Sequence, residues 1–182
     1  MKLKHLVLAL GLVSVASMAN ATTTAVGSVT VGAPAAFSGF APVGAFIDTF
    51  TFDLPTNGGS GYSVINFPVS IPGVGSFNSL LTTMTLFSDP DSDVIGDELP
   101  VFTVSQIGGA DSLSKSWGEL AAGSYFLLIS GFTNGSLGGI YSGAISVTAV
   151  PEPETWALLA AGLGVVGLKL RRRSNTGRII IN

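Results

Sequence analysis

The sequence predicts an all-β domain, a small antiparallel sandwich or jelly roll. Three observations carry this. Short runs of Val, Ile, Phe and Thr recur between Gly, Ser, Asn and Pro turn signals. No ten-residue stretch of the central region repeats its apolar positions every 3.6 residues, as an amphipathic helix would. The region 22–149 is long enough to bury roughly two-thirds of its unfolded surface, so one domain can stand without the disulfides that a cysteine-free chain lacks.

Strands are expected at 24–32, 45–54, 62–71, 80–87, 100–106, 122–131 and 139–149. The turns between them fall at Asn57-Gly58-Gly59, Pro72-Gly73, Gly108-Gly109, Ala122-Gly123 and Asn134-Gly135. The second strand, FIDTFTFDL from Phe46, alternates most clearly. Phe46, Asp48, Phe50, Phe52 and Leu54 share one face; Ile47, Thr49, Thr51 and Asp53 share the other. Asp48 therefore lies among phenylalanines, where a carboxylate is costly unless it is hydrogen-bonded. One reading puts it near the sheet rim, accepting bonds from turn N–H groups or hydroxyls. The other makes it a functional carboxylate tuned by burial, for which no partner base is visible.

Charge is distributed unevenly. The chain carries −3 overall, but seven of its eight basic residues lie outside the central region. There Lys115 alone faces nine acidic side chains, a net −8. Nucleic acid is excluded as a partner, because phosphate binding needs clustered Lys and Arg. The only histidine, His5, lies at the extreme N-terminus. Residues 22–149 thus hold neither imidazole nor thiol, which removes the commonest general base and nucleophile pairs and argues against an enzyme. A two-carboxylate hydrolase needs acids opposed across a cleft, whereas here they cluster in one loop.

That loop is SDPDSDVIGDELP, from Ser88 to Pro100. Asp89, Asp91 and Asp93 alternate and Asp97 and Glu98 follow, an oxygen-rich pattern suited to Ca2+. It is no EF-hand, since Val94 stands where Gly is required and Pro100 where a bidentate Glu is required. Solvation of a long loop explains the same acids. Lys115, Trp117 and Glu119 alternate along SKSWGEL. Trp117 is a candidate for stacking on a sugar ring, though a tryptophan at a strand or turn is more often a core anchor. Asn134-Gly135-Ser136 fits the N-linked acceptor pattern, a weak three-residue match.

The two ends direct traffic. Lys2 and Lys4, the apolar run Leu6–Val15 and the small residues of Ala19-Asn20-Ala21 form the three parts of a secretory signal over 1–21, with signal peptidase expected to cut after Ala21. At the other end, residues 150–173 read VPEPETWALLAAGLGVVGLKLRRR. A transmembrane helix is expected over 155–170, its 16 residues spanning about 24 Å against a ~30 Å hydrocarbon core. Trp156 suits one interface, and Arg171, Arg172 and Arg173 act as a stop-transfer cluster on the cytoplasmic side. The domain at 22–149 is then exported, and 174–182 form a cytoplasmic extension.

Pro151-Glu152-Pro153, followed by Thr155, Trp156, the AGLGVVG run and the arginines, resembles the PEP-CTERM sorting signal of Gram-negative bacteria. The resemblance implies recognition by exosortase, a membrane enzyme, with cleavage near Pro151, Glu152 and Pro153. The ending SNTGRIIIN departs from the pattern, which usually stops within a few residues of the arginines. Phe46, Asp48 and Phe50 resemble the F-x-D-x-F signature of a PEP-CTERM subtype. The family likeness implies a cell-surface or extracellular-matrix protein tied to exopolysaccharide and biofilm. Its precursor is then anchored in the inner membrane before passing to the periplasm, outer surface or matrix. A Ca2+- or carbohydrate-binding module on the same sandwich is the alternative.

Overall fold

Burial with period two runs along three of the strands and sets the architecture. The computed structural model describes residues 20–89, 98–149 and 153–174. The elements in chain order are β1 Asn20–Ser28, β2 Ala35–Ala41, β3 Gly44–Leu54, β4 Gly58–Asn66, β5 Val69–Ile71 and β6 Gly75–Phe77. They continue with β7 Ser79–Ser88, β8 Pro100–Ala110, β9 Ser112–Leu120, β10 Gly123–Thr133, β11 Gly139–Thr148 and α1 Pro153–Ser174.

Two sheets form the sandwich. One has the order β1-β3-β10-β7-β8 and the other β2-β11-β4-β9, with β5 and β6 a small hairpin apart. Their facing sides make one core. Phe46, Phe50, Phe52, Leu81, Met84, Leu86, Leu127 and Ile129 from the first sheet meet Phe37, Tyr62, Val64, Leu113, Tyr141, Ile145 and Val147 from the second. Apart from β7–β8 and β5–β6, successive strands fall in different sheets. The chain therefore crosses the core repeatedly, and most contacts are distant in sequence.

The all-β sandwich agrees with expectation, and the ladders are antiparallel with one difference. β1 runs parallel to β3, with Asn20 opposite Phe46 and Thr22 opposite Asp48. Three further differences concern strands. β2, β9 and β6 form where no strand was expected, because AAFSGFA and SLSKSWGEL carry too few large apolar side chains to stand out, and the expected strand 62–71 is divided between β4 and β5, with the Pro72-Gly73 turn following as expected. Gly58 and Gly59 belong to β4 and do not form a turn. Gly108 and Gly109 belong to β8, where their positive φ values of 86° and 82° accompany an irregular register against β7. At the N-terminus, Asn20 and Ala21 lie in β1, inside the stretch expected to be signal; residues 1–19 are outside the described residues.

The expected transmembrane helix needs correction. Residues 153–174 are helical, yet no helix among the described residues is long and apolar enough to cross a membrane. The apolar run is short, six of residues 155–170 are Ala or Gly, and Lys169 and the arginines bound it. Nor is it a core helix: Leu158, Leu163 and Val165 are exposed. Residues 175–182, the expected extension, are outside the described residues.

The registers place the chain ends at opposite ends of the sandwich. Leu54 pairs with Gly123, Gly58 with Leu120 and Gly59 with Thr148, so the chain leaves β11 toward the tail at that end. Asn20, opposite Phe46, lies toward the other end, where Gly44 pairs with Thr133. The flanks of the acidic loop, Ser88 and Pro100, are on the tail side, since Ser88 pairs with Tyr125.

A reciprocal arrangement locks β2 to β11. Phe37 lies opposite Gly143, and Tyr141 opposite Gly39. A Cβ on Gly143 would meet the Phe37 ring and the Ser63 carbonyl; one on Gly39 would meet the Tyr141 ring. Each glycine leaves room for its partner's ring. Replacing Gly143 by Ala should therefore cost about 1–3 kcal/mol through overpacking, read as a lower urea midpoint at unchanged slope.

Candidate functional site

Among the described residues Asp48 is the buried acid, 2% exposed at the centre of β3. Its donors come from two other strands. Thr22 on β1 donates its backbone N–H to Oδ1 at 3.0 Å and its hydroxyl to the same oxygen at 2.5 Å. Tyr141 on β11, from the facing sheet, donates its phenol to Oδ2. The expected hydroxyl donors are present, but they are supplied by strands and not by a rim turn. Parallel pairing puts Thr22 level with Asp48, and Gly39 leaves the room that Tyr141 needs to reach across the core.

The phenylalanines beside Asp48 hold the same tyrosine. Phe46 stacks on the Tyr141 ring at 5.4 Å between centroids and 19° between planes. Phe50 meets it edge-on at 6.3 Å, and packs on Phe37 at 4.4 Å. Phe46, Asp48 and Phe50 thus grip one side chain, two through its ring and one through its hydroxyl. Burial pushes the Tyr141 hydroxyl far above the ordinary tyrosine value, and its bond to the Asp48 carboxylate and that carboxylate's charge push it the same way. Tyr141 therefore remains a proton donor, as an anchor requires. The geometry clamps β1 and the facing strand β11 onto one carboxylate of β3.

Tyr62 is a second buried phenol. Burial raises it to about 12, tempered by the Ser60 hydroxyl and raised slightly by Tyr125. Ser60 and Tyr62 are close, yet neither oxygen finds a well-aligned partner.

Of the acidic loop, only the flanks are described. Asp91, Asp93 and Asp97 lie outside the described residues. Asp89 donates its backbone N–H to the Ser124 carbonyl at 3.0 Å, and Asp53 accepts from the Ser124 hydroxyl at 2.7 Å. Asp53 and Asp89 line one cleft at the tail end with Ser124 and Tyr125. Among the described residues no three acids, histidines or cysteines gather as a metal would need.

Trp117 is 38% exposed on β9. It packs against the Phe102 ring at 5.6 Å, and the Lys115 ammonium lies 5.7 Å from its centroid. A sugar stacking there would have to displace Lys115. Nearby, Gly61, Ser63, Ser114, Ser116, Ala144 and Ser146 line a shallow groove of about 440 Å³ with Tyr62 and Lys115. Sequence reading did not find this groove, because its serines come from three strands. Asn134 accepts from the Asn78 amide at 2.7 Å, part of a network with Asn66, Ser79 and Asp111 at the end remote from the tail.

In the tail, Pro151 and Glu152 lie outside the described residues, Pro153 begins α1, and Arg171 to Arg173 fall in its last turns with Arg171 exposed. Residues 149–173 match the PEP-CTERM protein-sorting motif. No curated protein matches the chain. Among solved structures, the pre-peptidase C-terminal domain of a collagenase from Bacillus anthracis is similar at 16% identity and a TM-score of 0.37. The likeness covers 70% of this chain and 96% of that one.

The clamp makes a definite prediction. Asp48→Ala should lower unfolding stability by about 2–4 kcal/mol, since it strands the Tyr141 hydroxyl in the core. Tyr141→Phe should cost less, about 1–3 kcal/mol, because the carboxylate keeps the Thr22 donors. Denaturant titration of both variants checks the order.

Proposed function

We infer that the sorting motif marks an exported precursor, anchored at the membrane and sorted by exosortase toward the cell surface. We propose that the mature protein is a non-enzymatic component of the cell surface or extracellular matrix, linked to exopolysaccharide and biofilm. Signal peptidase removes 1–21, exosortase acts near Pro151, Glu152 and Pro153, and Arg171, Arg172 and Arg173 halt the tail before cutting. The F-x-D-x-F subtype belongs to the same reading.

The observation that carries it is the order of parts: a sorting motif directly behind a sandwich whose buried acid serves as a clamp. Two other features support it. Residues 22–149 contain no His or Cys, and their acidic surface keeps an exported domain soluble. In cells lacking exosortase, the protein should keep residues 154–182 and stay with the membrane. Intact-mass analysis of membrane and exported fractions reads both. Identical mass and location with and without the enzyme would sink the proposal.

The serine groove favours a second reading, a carbohydrate-binding module. Four hydroxyls on neighbouring strands beside the central region's lone lysine offer hydrogen bonds and one positive charge to an acidic polysaccharide. Ca2+ held by Asp89, Asp91, Asp93 and Asp97 is its companion. Added polysaccharide or millimolar Ca2+ should then raise the melting temperature of the exported protein. Lys115→Ala together with Ser146→Ala should abolish the polysaccharide effect and leave any Ca2+ effect intact.

A further inference from the structure

We propose that removal of residues 1–21 turns the Thr22 N–H facing Asp48 into the mature chain's α-ammonium, which pairs with that buried carboxylate and fixes β1 to the sheet edge. The inference rests on the export reading, in that signal peptidase must act at this end.

The geometry is already in place. Thr22 N lies 3.0 Å from Asp48 Oδ1. Among the described residues, Asp48 has only the neutral donors of Thr22 and Tyr141. A carboxylate 2% exposed with no cation beside it keeps a desolvation cost that hydrogen bonds only partly offset. Hydrolysis of the Ala21–Thr22 bond adds one water. Ala21 departs with a carboxylate, and the Thr22 nitrogen gains one hydrogen from the water and, at neutral pH, a further proton. The positive charge appears at the atom that already donates to Oδ1. Thr22 itself is exposed, so the remaining ammonium hydrogens keep their water while the acid beneath them gains a counter-charge.

The cut removes little else. Asn20 and Ala21 are exposed edge residues paired only with Phe46 and Ile47. β1 needs such a fastening. It is exposed along almost its whole length, with Val26 half-buried, and its ladder to β3 is parallel. In the precursor the clamp is a set of neutral hydrogen bonds. In the mature chain it becomes an ion pair, so processing and stability are coupled.

The sign of the pH dependence is set by this pairing. An α-amino group ordinarily titrates near 7.7–8.0. Pairing with Asp48 raises that value in the folded state, so the stabilisation is complete below about pH 7 and is lost as pH rises through the raised value. The titratable groups facing this nitrogen are Asp48 from β3 and Tyr141 from β11; β2 and the adjoining part of β10 contribute none. Tyr141, held protonated by burial, stays neutral across the window.

The experiment uses the full chain exported from cells. One form is native; the other carries Ala-Gly inserted between Ala21 and Thr22, so that the Thr22 nitrogen remains an amide. Intact mass gives the first residue of each. Melting temperatures from pH 6.5 to 10 should show the native form about 3–6 °C higher at pH 7, the shift expected for roughly one pKa unit in a domain of this size. The gap should close by pH 10. Asp48→Asn in both forms should erase it at every pH. Superimposed profiles, or a native chain beginning anywhere but Thr22, overturn the proposal. A chain that is never exported and keeps residues 1–21 overturns the export reading, and the pairing with it.

Discussion

A carboxylate in the middle of an apolar core is the constraint on which this sandwich turns. Asp48 is tolerable there only while Tyr141 and Thr22 both reach it. Those donors belong to different sheets, so satisfying one acid fixes the spacing of the layers and the register of the edge strand at once. A one-residue slip of β1 would move Thr22 away from Asp48. A bulkier residue at Gly39 would push the Tyr141 ring off its path. The phenylalanines on either side of Asp48 complete the arrangement by gripping the ring whose hydroxyl the acid holds.

The ends of the sandwich are built differently. Remote from the tail, Asn66, Asn78, Ser79, Asp111 and Asn134 tie four loops together, and the Thr133 hydroxyl bonds the Pro42 carbonyl and the Gly44 N–H. Toward the tail, Asn57 accepts from the Ala122 N–H, and Asp53 and Asp89 converge on Ser124. The flanks of the acidic loop, Ser88 and Pro100, lie at this second end, where β11 also leads out toward the sorting motif. With the chain ends at opposite ends of the sandwich, the N-terminal strand is clamped by Asp48 and the C-terminal strand lies inside its sheet.

The tail shows how far composition reaches. Its helix forms over Pro153–Ser174, and its leucines and valines are exposed, as a segment awaiting other surroundings would be. Length and apolarity, however, fall short of a membrane crossing. Frequent Ala and Gly lower the transfer energy per residue, and the cations shorten the usable run. The sorting motif is therefore identified by its residue pattern and not by a helix able to cross a membrane.

Alternation and end signals were legible from residue order. The inward face of β3, the β class and the sorting motif are local patterns, written within ten or twenty consecutive residues. The weakly apolar strands β2 and β9 were not legible, because glycine and serine pair in a sheet only when neighbouring strands supply the rings that cover them. Nor could the donors of Asp48 be found, since they lie 26 and 93 residues away in sequence. The sequence alone determined that a carboxylate would point into the core, because side-chain direction along a strand is a property of the strand. Only the tertiary structure decided what would meet it there, because that depends on how often the chain crosses between sheets and which strand ends at the edge.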